Sequence, residues 1–125
     1  MQVLRIFLLA AGALLAQGRY DPTVVQEGQR LFTEHCDMCH GPEGDAVPGV
    51  DLGHNKFRRA SSDEELEKII KNGIPGTGMP PHNFADFAPG VKSAVSQIQS
   101  IIVYMHYMGD AANNTAFAEG DAAQG

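Results

Sequence analysis

The cleanest hydrophobic period in the chain lies toward its C-terminal end. Val91, Ala94, Val95, Ile98, Ile101, Ile102, Met105 and Met108 recur at about 3.6-residue spacing and predict a long amphipathic helix ending by Gly109. A second stripe, Val24, Val25, Gly28, Leu31, Phe32 and His35, follows Asp21-Pro22-Thr23. That triplet offers a cap and a proline tolerated in a first turn, so a helix is predicted there, ending near Cys36. Between the two, Ser61-Ser62-Asp63-Glu64-Glu65 places a capping box ahead of Leu66, Ile69 and Ile70, and Asn72-Gly73 supplies a left-handed stop. No convincing strand and no internal repeat appears, so the fold class is all-α with three main helices.

The polar and breaker-rich stretches complete the plan. Residues 41–59 carry Gly41, Pro42, Gly44, Pro48, Gly49 and Gly53 without a sustained period, and predict a long irregular loop of the kind that carries function. Ile74-Pro75-Gly76-Thr77-Gly78-Met79-Pro80-Pro81 excludes both helix and central strand, so a shaped, extended loop is expected. Residues 110–125 are rich in Ala, Asn and Gly and predict a disordered tail. Residues 1–18 hold Arg5, an apolar run over residues 6–16 and a small-residue end, which is the layout of a cleaved signal peptide, with cleavage after Gly18 or Ala16. That run is shorter than the roughly 20 apolar residues a membrane-spanning helix needs. Residues 19–109 are left as one domain.

Charge and size narrow the function. A chain of 125 residues has room for a single core. With 43% hydrophobic and 19% charged residues it falls in the ordinary globular range. The net charge of −6 becomes −7 once residues 1–18, which contain Arg5 and no acid, are removed. No nucleic-acid partner is indicated. An acidic surface instead suits a docking partner with a basic rim, or simply keeps an exported protein soluble.

The chemistry concentrates in Cys36-Asp37-Met38-Cys39-His40, which contains both cysteines of the chain. Residues three apart on a helical turn face the same way at about 5–6 Å, so two thiols so spaced can reach neighbouring vinyl groups of one porphyrin, with the adjacent His40 bound to its iron. A structural zinc site would need two further ligands at matching spacing, and no second CxxC or HxxxH pair exists. A redox dithiol of the thioredoxin type calls for a βαβ setting that is missing. A disulfide closing so small a loop would leave His40 unexplained. The motif therefore reads as attachment of one haem c through Cys36 and Cys39, with Met38 pointing away.

With this motif the chain resembles the class I c-type cytochromes, over about residues 24–108. The family has a glycine and an aromatic on its first helix, matched by Gly28 and Phe32, and an aliphatic and an aromatic on its last, matched by Ile101 and Tyr104. The resemblance implies a cytochrome c fold: long loops wrapped around one covalently bound haem, and first and last helices crossing nearly at right angles where Gly28 permits close approach. A glycine inside a helix costs roughly 1 kcal/mol against alanine, so a packing reason is expected independently.

Met79 is expected as the second axial ligand. Its thioether is soft and neutral and raises the reduction potential, and its Gly-Met-Pro setting looks like the family's distal loop. His82, His54 and an open sixth position are the rivals. Met105 and Met108 belong to the last helix stripe, and His35 and His106 read as helix-surface or packing residues. In relatives a proline carbonyl accepts a hydrogen bond from the proximal histidine. The family's Gly-Pro-x-Leu reads Gly49-Val50-Asp51-Leu52 here, so Pro48 is the stand-in. Arg58 and Arg59 fall where relatives pair a basic side chain with a haem propionate. Leu52, Phe57, Ile70, Ile74, Phe84 and Phe87 are expected as crevice walls.

The function implied is periplasmic transfer of single electrons without turnover of a substrate, so not an enzyme. Its partners would be redox proteins, an electron donor and acceptor such as a dehydrogenase, a cytochrome bc complex or a terminal oxidase, with no stable membrane insertion after signal cleavage. Two alternatives stand: a haem-port subunit of a quinoprotein dehydrogenase or oxidase complex, and a haem peroxidase or gas-binding protein with an open sixth position.

Overall fold

Asp21 starts the first helix, α1 (Pro22–His35). Its carboxylate accepts from the Thr23 backbone N–H at 2.9 Å and from the Thr23 hydroxyl at 2.7 Å, while Pro22 occupies a first-turn position where no N–H is needed. Ser93 also donates to Asp21, at 2.7 Å, tying the segment ahead of the last helix to the start of the first. The Thr23 bonds, then that of Ser93, hold the Asp21 carboxyl down at about 2. The computed structural model describes the backbone of residues 19–124 and the side chains of residues 19–113. The segment read as a signal peptide lies outside the described residues.

A single turn, α2 (Asp37–His40), follows α1 directly. The loop behind it closes through paired backbone bonds between Asp51 and Lys56, at 3.0 and 2.9 Å, around a 3-10 turn at Leu52–His54. Next comes α3 (Asp63–Asn72). Ser62 Oγ accepts from Glu65 N–H at 3.2 Å, and Glu65 reaches back to the Ser61 N–H at 2.6 Å, which is the reciprocal capping its sequence predicts. Gly73, at φ 66°, stops the helix.

The last helix, α4, spans Gln97–Gln124, and both ends differ from the hydrophobic pattern. It starts late because Ser96 and Gln99 form a second capping box: Gln99 N–H donates to Ser96 Oγ at 3.1 Å and Ser96 N–H to Gln99 Oε1 at 2.9 Å. The apolar positions before it, Val91 and Val95, fold back on the wholly buried Ala88 through backbone bonds of 3.4 and 3.1 Å. At the other end α4 does not stop at Gly109 but runs through the segment that reads as a disordered tail. Gly109 serves a packing role instead, because a Cβ there would collide with the Asn55 side chain. The residues beyond it include Ala111, Ala112, Ala116, Ala118, Ala122 and Ala123 and no proline, a composition that favours continuation.

The core is made where α1 meets α4, with α3 closing one side. Leu31 and Phe32 interlock with Leu66 and Ile70 and with Ile98, Ile101, Ile102 and Met105. Among the described residues the structure is helical with no strand, as an all-α fold requires. Gly28 marks the closest approach: a Cβ there would strike the Ser100 carbonyl oxygen and would stand 2.7 Å from Tyr104 Cβ. Beside it the Phe32 and Tyr104 rings meet edge to face at 5.5 Å. A Gly28→Ala variant should therefore force the two helix backbones apart and cost about 1–3 kcal/mol. Thermal unfolding should drop by at least about 4 °C; an unchanged midpoint would mean the helices do not touch here.

Candidate functional site

The break between α1 and α2 builds the site. Cys36 caps α1, donating its N–H to Phe32 O at 2.8 Å, and its own carbonyl accepts from both Cys39 N–H (3.2 Å) and His40 N–H (2.9 Å). Gly41 N–H returns to Asp37 O at 2.7 Å and Ala46 N–H to His40 O at 2.9 Å, so the turn is fastened on its downstream side as well. Two thiols and one imidazole are thus held on one turn. Both cysteines are free; Cys36 is half-buried against the core and Cys39 is exposed. Burial, then the neighbouring Cys39, pushes the Cys36 thiol up to about 11. Met38 points into solvent, 96% exposed.

His40 is half-buried, and burial lowers its proton affinity, which favours the neutral ring that a metal requires. Its Nδ1 is buried with no hydrogen-bond partner. A polar atom left in that state costs about 1–3 kcal/mol. The bond expected from His40 to the Pro48 carbonyl is therefore not formed. Pro48 is exposed in a turn closed by Val50 N–H to Val47 O at 3.0 Å, with Gly49 at φ 77°, and that turn leaves the imidazole alone.

Met79 belongs to a separate loop fastened to the end of α3. Its carbonyl accepts from Ile74 N–H at 3.0 Å, its N–H donates to Thr77 Oγ1 at 3.2 Å, and the Thr77 hydroxyl donates to Ile74 O at 2.7 Å. Gly73 makes the fold-back possible, since a Cβ there would come within 2.7 Å of the Met79 carbonyl and the Pro80–Pro81 link. The thioether is half-buried. Arg58 and Arg59 are exposed and form no ion pair among the described residues. Arg58 lies across the Pro48–Gly49 turn, its Nη1 3.7 Å from where a Gly49 Cβ would stand. Leu52, Phe57 and Phe84, like Cys36, pack half-buried against the core, whereas Phe87 is 61% exposed.

The remaining histidines have partners both local and distant along the chain. His54 faces Asp51, Nδ1 to Oδ2 at 2.9 Å. His106 bridges two elements, with Nε2 2.7 Å from Asp63 at the start of α3 and Nδ1 3.1 Å from Asn55. His82 stacks on Phe84 at 5.5 Å with the planes 6° apart, while His35 meets Phe84 edge-on at 5.0 Å, and His82 Nδ1 is buried and unpartnered. Among the described residues no group of three or more His, Cys, Asp or Glu side chains could hold a bare metal ion. A metal at His40 would have to bring equatorial ligands of its own. Paired free thiols beside a neutral, underbonded imidazole fit a macrocycle that does so.

The family described as cytochrome c oxidase, cbb3-type, subunit III matches residues 23–105. The quinohemoprotein alcohol dehydrogenase of Comamonas testosteroni is 38% identical over 66 residues, which is 50% of this chain and 9% of that protein. The chain thus spans less than a tenth of that relative. No solved structure matches.

Proposed function

Because the chain belongs to the c-type cytochromes, in the family of cbb3-type cytochrome c oxidase subunit III, we propose that it is a periplasmic carrier of single electrons. In this reading one haem c would be bonded through Cys36 and Cys39, and His40 and Met79 would hold its iron. Haem electron transfer and the all-α cytochrome c fold come with the family. The observation that carries the rest is the single turn bearing two free thiols and a buried imidazole nitrogen that lacks a partner.

Once bound, the haem supplies an iron that alternates between ferric and ferrous. The protein's own residues do the remaining work. Cys36 and Cys39 fix the ring's position on the α1–α2 turn, and His40 offers the lone pair of a neutral imidazole. Met79 offers a soft, neutral thioether that favours the reduced state, on a loop whose backbone bonds limit its movement. Leu52, Phe57 and Phe84 exclude water, and Arg58 and Arg59 are the cations available for propionate carboxylates. No residue is assigned to turnover of a substrate.

Export rests on the signal-like pattern of residues 1–18, and no helix among the described residues is long and apolar enough to cross a membrane. The donor and acceptor are redox proteins, a dehydrogenase, cytochrome bc complex or terminal oxidase by class. A second reading, the haem port of a dehydrogenase complex, is favoured by the named relative; native co-purification with a larger subunit separates it from a diffusing carrier. Redox titration of the haem-loaded chain under carbon monoxide tests the carrier reading. A reversible one-electron couple without gas binding is expected, whereas rapid and complete binding would support an open sixth site.

A further inference from the structure

All three tyrosines of the chain, Tyr20, Tyr104 and Tyr107, line one open-sided groove of about 780 Å³ between α1, α4 and the loop that follows α2. That volume lies within the roughly 300–1,000 Å³ of ordinary ligand sites. The rings are held in place: Tyr20 and Tyr107 meet edge to face at 6.0 Å, Phe32 backs Tyr104, and the Tyr20 hydroxyl donates to Asp110. Val25 and Met108 add apolar wall.

The charges in the groove are unequal. Both basic side chains on its walls face carboxylates of this chain, Arg19 with Asp110 at 3.5 Å and His54 with Asp51 at 2.9 Å. Glu43, on the same wall, makes no ion pair among the described residues. Burial first, then Glu43 and Asp37, raises the Tyr104 phenol pKa. Electron-rich ring faces beside an uncompensated carboxylate suit a cation. The chain itself displays such a contact, with the Arg19 guanidinium 6.0 Å from the Tyr20 ring centre.

We propose that this groove docks a basic segment of the protein that exchanges electrons with this chain, with an arginine or lysine side chain seated against Tyr104 and Tyr107 and its charge directed at Glu43. The assignment rests on the carrier reading above. A protein occupant uses both the open side of the groove and the chain's net charge of −6, which attracts a basic surface over distance.

The test uses the full haem-loaded, reduced chain and the capped peptide Gly-Arg-Gly-Arg-Gly, followed by NMR of the tyrosine rings. The peptide should shift the Tyr104 and Tyr107 signals and bind less tightly with added salt. Glu43→Gln and Tyr107→Leu should each weaken it by about two- to fivefold, while Glu64→Gln, on the exposed start of α3, should not. Unmoved tyrosine signals, or equal weakening by Glu64→Gln, would overturn the proposal. So would tetramethylammonium displacing the peptide at similar affinity, since the groove would then be a small-cation site. A chain that carries haem yet ignores the peptide fails only this inference; a chain that never acquires haem fails the reading beneath it.

Discussion

Replacing Cys36 and Cys39 together by serine will yield an exported chain without covalently bound haem, a complete loss rather than a reduction. Serine keeps the size of each side chain and the backbone bonds of the turn, which run through Cys36 O, Asp37 O and His40 O. The change is therefore confined to the two sulfurs. Any haem retained would depend on His40, Met79 and apolar contact, and should be extracted by denaturation and acidified organic solvent. The variant should also be less stable, because Leu52, Phe57 and Phe84 are only partly covered by the protein core. Heme-stained denaturing gels and intact mass read the outcome directly. A double variant that still carries haem through denaturation would place the linkage elsewhere.

Met79→Ala is expected to leave haem attached but to open its sixth position. The loop should survive, since its bonds come from the Ile74 and Met79 backbone and from Thr77 rather than from the thioether. Carbon monoxide binding to the reduced protein should rise from negligible to nearly complete, and the reduction potential should fall with loss of the soft ligand. Unchanged coordination would move the assignment to His82, whose buried Nδ1 lacks a partner; His54, already facing Asp51, is the weaker substitute. A Met79→Ala, His82→Ala double variant separates the two.

What the sequence made legible follows from the range over which each signal acts. The starts of α1 and α3 could be read because their caps are built from residues within four positions of one another, Asp21 with Thr23 and Ser61 and Ser62 with Glu65. The Cys36–His40 turn could be read for the same reason. The bounds of α4 could not: periodicity alone extended it back to Val91, although Ser96-Gln97-Ile98-Gln99 carries a local capping signal that fixes its start. Gly109 resembles a helix stop in sequence, and only the Asn55 side chain, far away along the chain, explains why it is an interior packing glycine. The His106 bridge to Asp63 and Asn55, the edge-on contact of His35 with Phe84 and the gathering of three tyrosines in one groove are likewise products of tertiary folding. The acceptor for His40 is the expected feature that is missing: Val50 stands at the position where proline is expected, and His40 Nδ1 has no hydrogen-bond partner.

The central claim is that the Cys36–His40 turn is bonded to one macrocycle, and proteolysis followed by mass spectrometry of the exported chain tests it most directly. The account predicts that the peptide containing residues 36–40 carries the mass of one haem, with both cysteines resistant to alkylation. The same peptide recovered without added mass, with both thiols alkylated, would contradict it.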